Sequence, residues 1–178
     1  MRRFLAAVAC GLCGVVAHAE EAFTLSSPAF VDGGEIPKVY TCEGEDASPP
    51  LSWRGVPPRT QSLALVVDDP DAPDPAAPRM TWVHWLVYDI PPFATGLNAG
   101  LGDKLPGGMR LGTNDFERTR WGGPCPPVGR HRYHFKLYAL ARKFDTLLKA
   151  PDKATLEAAI HDHVLGQATL IGTYQKTQ

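Results

Sequence analysis

Three stretches put ionisable or aromatic side chains at the ends of apolar stripes. In Ser62–Asp69, the residues Leu63, Leu65 and Val67 alternate onto one strand face, and Asp69 ends that stripe. In Trp82–Ile90, Trp82 and His84 open a stripe that continues through Leu86, Tyr88 and Ile90. In His131–Leu140, His131 and Tyr133 open one that continues through Phe135, Leu137 and Ala139. A carboxylate that ends a core-facing stripe needs partners. If these strands are antiparallel neighbours, the end of one lies beside the start of the next, and Asp69, His84 and His131 converge on one rim. A carboxylate there could hold two imidazoles in set tautomers with N–H donors aimed outward, and Tyr133 would add a hydroxyl. Such a group accepts a phosphate, sulfate or carboxylate. Each residue could equally be an isolated polar strand end, hydrogen-bonded to backbone.

The elements that must position these groups are mostly strands. Ser62–Asp69 is apolar on both faces, which predicts a central strand covered on both sides. Gly122–Gly129 is stiffened by three prolines and leads into the alternating strand from His131. Phe23–Phe30 reads as a first strand interrupted by Pro28, and Pro37–Cys42 as a short edge strand. Cys42–Trp53 and Pro70–Pro78 read as loops. Pro91–Phe116 is long, Gly-rich and without helical period, the kind of loop that carries a role or folds over something. One helix is expected over Asp152–Leu165, with Leu156, Ile160 and Val164 inward and Gly166 at its end. Phe144–Lys149 could add a helical turn, and Ala168–Tyr174 closes the chain as a strand. The fold class is mainly β, a β-sandwich or barrel-like domain with one C-terminal helix.

The N-terminus bears on compartment. Arg2 and Arg3, the apolar run Phe4–Val16, and Ala17-His18-Ala19 form a secretory signal peptide over residues 1–19. The expected mature chain is 20–178, a single domain, periplasmic or secreted. No stretch reaches the roughly 20 apolar residues of a membrane-spanning helix. The formal net charge of −1 argues against nucleic acid as a partner and makes any anion site local. Cys42 and Cys125 are the cysteines outside the signal segment. In an exported protein they favour a disulfide, the alternative being two buried thiols that never meet.

Several chemistries find no motif. There is no G-x-S-x-G, no nucleotide-cradling G-x-x-x-x-G-K-[ST] or G-x-G-x-x-G, and no H-E-x-x-H. Neither cysteine has C-x-x-C spacing for a metal. Asp68, Asp69 and Asp71 could suit a glycosidase pair or a divalent cation, but Pro70 and Pro73 mark the run as a turn. His134 faces away from the rim, as a surface or second-layer residue. His161 and His163 suit the C-terminal end of the helix dipole better than a metal.

Taken together, Asp69-Pro-Asp-Ala-Pro73, Trp82-x-His84 and Gly122-Gly-Pro-x-Pro-Pro-x-Gly-x-His-Arg-Tyr133 resemble the phosphatidylethanolamine-binding protein family. The likeness is to its bacterial branch, described as similar to the Raf kinase inhibitor protein. Cys42-x-Gly-x-Asp-x-Ser-Pro-Pro-Leu-x-Trp53 and Gly172-Thr-Tyr174 fit the same branch, and Trp121 fills a position often aromatic there. The resemblance implies a β-sandwich around a large antiparallel central sheet with a C-terminal helix. It also implies a small anion pocket walled by Asp69, Trp82, His84, Gly123, Pro124, Pro126, His131 and Tyr133. Asp71 would brace the loop through backbone or Arg132, and a cis peptide is expected at Ala72–Pro73 or Met80–Thr81. The C-terminal helix that helps close the pocket in animal members does not follow Tyr174 here.

The expectation is an exported, non-enzymatic binding protein for phosphate-like anions or phosphorylated headgroups, with no cofactor, metal or catalytic residue. The alternative is a protein-interaction scaffold or inhibitor of a peptidase or signalling enzyme, its contacts carried by Pro91–Phe116 and Asp74–Pro78 and the pocket incidental. A hydrolase using Asp69 and His131 is the third reading.

Overall fold

The structure is a computed structural model that describes residues 21–103, 105–144 and 149–177. The signal segment and most of the turn expected over Phe144–Lys149 lie outside the described residues. Strands β1 (Thr24–Ser26), β2 (Leu51–Arg54) and β5 (Gly96–Leu97) form a small antiparallel sheet in the order β1-β2-β5. The larger sheet is also antiparallel, in the order β6-β4-β3-β7-β8. Its strands are β3 (Ser62–Asp69), β4 (Trp82–Ile90), β6 (Arg110–Leu111), β7 (His131–Leu140) and β8 (Val164–Tyr174), and helix α1 (Lys153–Ile160) precedes β8.

All eight residues of β3 are buried, as its two apolar faces require. Leu63, Leu65 and Val67 enter the core between the two sheets, with Trp53, Trp121, Phe135 and Leu137. Ala64 and Val66 enter a second core with Leu86, Tyr88, Leu156 and Ile160, under α1. Burial of one such aliphatic side chain contributes about 1.5–3 kcal/mol, so a strand buried on both faces anchors the layers around it. β7 keeps the expected alternation: His131, Tyr133, Phe135, Leu137 and Ala139 are buried, while Arg132 is exposed and His134, Lys136 and Tyr138 are half-buried.

Four expectations are corrected. Phe23–Phe30 contributes only three strand residues, and Pro37–Cys42 forms a 3-10 turn over Lys38–Tyr40 rather than an edge strand. Leu86 and Tyr88 do not share a face with His84 and Ile90. The β3–β4 register slips between Val67↔Trp85 and Asp68↔Val83, leaving His84 as the extra residue of a bulge, and slips again beside Asp89, whose φ is 54°. Trp85, Val87 and Ile90 therefore turn to the inter-sheet core, and Leu86 and Tyr88 to the helix layer. Finally, α1 ends at Ile160. His161–His163 form a 3-10 turn, and Val164 opens β8, where Gly166 pairs with Ala139. The ladder with β7 takes residues whose apolar spacing also fitted a helix. Asp152 caps α1 through Thr155 N at 2.8 Å, and Leu156 and Ile160 are buried as expected.

Candidate functional site

The antiparallel order brings the three strand ends together. Asp69 pairs with Trp82, and Asp68 with His134, so the C-terminal end of β3 lies between the starts of β4 and β7. A cavity of about 260 Å³ opens there, lined by Asp69, Trp82, His84, Pro126, His131 and Tyr133 among the expected residues. Ala72, Pro73, Met80, Phe116, Cys125 and Pro127 complete its wall. The floor is polar and the sides are apolar. A larger hollow of about 500 Å³ lies beside Glu21, Gly55 and Arg59, away from the strand ends.

Asp69 is nearly fully buried and accepts two hydrogen bonds, from Asp71 N at 2.8 Å and His131 Nδ1 at 2.7 Å. The other nitrogen of His131 donates to the Val128 carbonyl at 2.9 Å. Both ring nitrogens are engaged within the protein, so neither is left to meet a ligand. His84 is held differently from the expectation that one Asp fixes both rings. Its Nδ1 donates to the Gly122 carbonyl at 2.5 Å, leaving Nε2 as the ring's remaining polar atom. Burial pushes His84 below the ordinary histidine range. The Gly122 contact and the charges of Asp69, Asp68 and Asp115 oppose that shift without reversing it. The neutral ring therefore presents an acceptor at Nε2, and the two N–H donors expected to face outward are not both available.

Tyr133 is fully buried, and its hydroxyl has no hydrogen-bond partner among the described residues. Its ring meets His84 edge-on at 5.1 Å. Burial first, then the charges of Asp69 and Asp71, push its ionisation well up, so the hydroxyl keeps its proton and can donate.

The surrounding loops are tied down. Asp71 accepts from Arg132 N and Nε at 2.9 Å each and from Nη2 at 2.6 Å, the bracing expected of it, and the guanidinium holds its carboxyl below the usual range. The Ala72–Pro73 bond is cis and the Met80–Thr81 bond is not. Cys42 and Cys125 form a disulfide with Cα atoms 5.5 Å apart. Gly123 and Pro124 are not among the lining residues; they anchor the loop instead. Gly123 N donates to Asp46 Oδ1 at 2.6 Å, and the Pro124 carbonyl accepts from Cys42 N at 3.1 Å. A Cβ on Gly123 would sit 2.6 Å from the Tyr40 carbonyl oxygen.

The sequence reading missed Phe116, Asn114, Asp46 and Met80. Phe116 packs edge-on against Trp82 at 5.5 Å and His84 at 5.4 Å. Asn114 seats it by accepting from Phe116 N and donating to the His84 and Arg120 carbonyls. A lone Phe at the end of a Gly-rich loop gives no periodic signal, although the Asn-Asp pair beside it is turn chemistry. Among the described residues, no group of three His, Cys, Asp or Glu side chains is placed to hold a metal, and no helix is long and apolar enough to cross a membrane.

A family model described as phosphatidylethanolamine-binding protein matches residues 26–175. The chain belongs to the phosphatidylethanolamine-binding protein family. It is 49% identical over 154 residues to the UPF0098 protein of Methanothermobacter thermautotrophicus, covering 85% of this chain and 98% of that one. Among solved structures it is similar to a putative phosphatidylethanolamine-binding protein homolog from Chlamydia trachomatis. That pair shares 37% identity at a TM-score of 0.77, over 88% of this chain and 99% of the other. The E. coli protein YbcL, described as a new member of the mammalian family, matches at 32% identity and a TM-score of 0.77, over 89% of this chain and all of the other. The sandwich of two antiparallel sheets with one C-terminal helix is the fold of these neighbours.

Proposed function

We propose that this chain is an exported, non-enzymatic binding protein whose cavity takes a phosphate-like group. The observation that carries the reading is the Tyr133 hydroxyl, buried and unpartnered at a cavity where the rings of His84 and His131 are already fixed by hydrogen bonds. A buried donor without a partner costs about 1–3 kcal/mol, and a bound oxyanion relieves that cost. The basic, apolar and small-residue pattern of residues 1–19 supports export, and the Cys42–Cys125 disulfide fits an oxidising compartment. A non-enzymatic role fits the engagement of Asp69 and His131 with one another and with backbone. Neither is free to act as a base on an incoming water.

Calorimetric titration of the chain lacking residues 1–19 with phosphate and phosphoethanolamine, repeated on Tyr133→Phe, tests the reading. Saturable binding weakened in the variant is expected. No heat with either ligand overturns the pocket assignment. A second reading, a scaffold that docks another protein, draws on exposed apolar residues at and beyond the cavity rim: Met80 (52% exposed), Phe116 (36%) and Phe93 (84%). Partner capture that survives His84 and His131 substitution but is lost on exchange of residues 91–116 would favour it.

A further inference from the structure

We infer that the cavity binds its oxyanion together with a proton, and so selects phosphate monoesters over sulfate and phosphodiesters. The inference rests on the phosphate reading of the site and adds to it the substrate class.

The hydrogen-bond inventory of the cavity is short of donors. Both ring nitrogens of His131 are engaged, one by Asp69 and one by the Val128 carbonyl. The Nδ1 proton of His84 is used on Gly122. The loop that would otherwise cradle an anion offers little. Pro124, Pro126 and Pro127 have no N–H, Gly122 N donates to the His84 carbonyl, and Gly123 N donates to Asp46. Beside the Trp82 indole N–H, which also lines the cavity, what remains is the Tyr133 hydroxyl as a donor and His84 Nε2 as an acceptor, on rings 5.1 Å apart.

A ligand that satisfies both atoms must accept at one oxygen and donate from another. A phosphate monoester carrying one P–OH does so. Sulfate and a phosphodiester have no ionisable hydroxyl near neutral pH and would leave Nε2 unmatched, and a site built to meet a donor discriminates against analogues that lack it.

The charges around the rings favour the same choice. Asp68 and Asp69 come from β3, Asp71 and Asp115 from the adjoining loops, and the His131 ring and Tyr133 from β7. Arg118 lies over Phe116 at 5.0 Å but is paired with Asp46 at 3.1 Å. Arg132, Lys136, Lys153 and Arg118 are each already paired with a carboxylate, so none of them offsets a second negative charge on the ligand.

The test uses the folded chain lacking residues 1–19 and four probes: inorganic phosphate, phosphoethanolamine, glycerophosphoethanolamine and sulfate. The first two are a free phosphate and a monoester, and the third is the diester arrangement of a lipid headgroup. At pH 6, phosphate and phosphoethanolamine are expected to bind at least about tenfold more tightly than the other two. Phosphoethanolamine affinity should fall about tenfold between pH 7 and pH 8, because the second ionisation of a phosphate monoester lies near pH 6. Titrations in buffers of different ionisation enthalpy should show proton uptake on binding at pH 8. His84→Phe should remove the preference over sulfate, and the wild-type comparisons stand on their own should that variant fail to fold. Sulfate bound as tightly as phosphate, or an affinity that is flat with pH, would overturn the inference and leave the phosphate reading intact. Binding of none of the four would overturn both.

Discussion

Tyr133→Phe should make the protein more stable and a poorer binder at the same time. The substitution removes one oxygen and leaves the ring where it is, edge-on to His84 at 5.1 Å and fully buried. That oxygen has no partner, so its removal recovers the desolvation cost of a buried hydroxyl, about 1–3 kcal/mol, less a small loss of packing. In a domain of this size each kcal/mol moves the melting temperature by about 2–4 °C, so a rise of about 2–12 °C is expected before the packing loss. The same oxygen is the donor assigned to the ligand. A hydrogen bond to a charged acceptor is worth about 1.5–3 kcal/mol, which predicts an affinity for phosphate lower by about ten- to a hundredfold. Thermal melts without ligand and calorimetric titration with phosphate read the two effects separately. A variant that melts lower would refute the reasoning, since the hydroxyl must then have a partner inside the protein. A variant that melts higher and binds phosphate as before would show that the donor does not touch the ligand.

Three further outcomes follow from the support around the cavity. Gly123→Ala would press a methyl against Asp46 Oδ1 at 2.5 Å and the Tyr40 carbonyl at 2.6 Å, so it should cost about 1–3 kcal/mol in urea unfolding; an unchanged midpoint would show that the loop shifts freely. The Cys42–Cys125 bridge spans 83 residues, and in the chain-entropy picture Cys125→Ser should lower unfolding free energy by about 4.5 kcal/mol, with intact mass reporting the bridge in the parent. Burial holds both His84 and His134 below their ordinary value of 6.5. The unfolded chain then takes up protons before the folded chain does, so stability is complete above about pH 6.5 and falls as pH drops from there towards each folded value. Melts from pH 7.5 to 5 should show this, and the slope should flatten in the His84→Phe, His134→Gln double variant. A slope unchanged in that variant would assign the effect to other groups.

How much of this was legible depended on whether local pattern and tertiary pairing agreed. In β3 and β7 they did: alternation set the bounds Ser62–Asp69 and His131–Leu140, and the polar residues at their ends did converge. In β4 they did not. The bulge at His84 and the left-handed Asp89 are set by pairing with β3, and no residue in the stretch announces them. The end of α1 was ambiguous for the opposite reason. Val164 fits a helical stripe as well as a strand, and the ladder with β7 decided it. Within the site, the Asp69–His131 contact followed from types and spacing, but the Gly122 carbonyl that fixes His84 did not. Backbone partners carry no side-chain signal. Phe116 and Asn114 were hidden because a loop residue reveals its role only through what it packs against.

Asp68 and Asp69 are chemically identical neighbours with opposite fates. Strand alternation sends them to opposite faces of the sheet. Asp68, fully buried, faces the helix layer, where one of its oxygens accepts from Lys136 at 2.8 Å and Lys153 at 2.5 Å. Lys153 is the first residue of α1, so this carboxylate clasps the helix to the sheet, and its partners are long side chains whose ammonium groups lie near water. Asp69 faces the cavity and has no lysine or arginine; its partners are one backbone N–H and one imidazole. Two ammonium groups close the Asp68 site with charge, although its Oδ1 stays buried without a partner among the described residues. One N–H and one ring fix a geometry and leave the adjoining donor, Tyr133, unmatched. Both arrangements leave a buried oxygen unsatisfied, Asp68 Oδ1 in the first and the Tyr133 hydroxyl in the second, but only the second lies at a cavity that a ligand can enter. The core provides the rest: β3 is buried on both faces along its whole length, so the strand that ends in Asp69 is held firmly enough to keep the cavity floor in place.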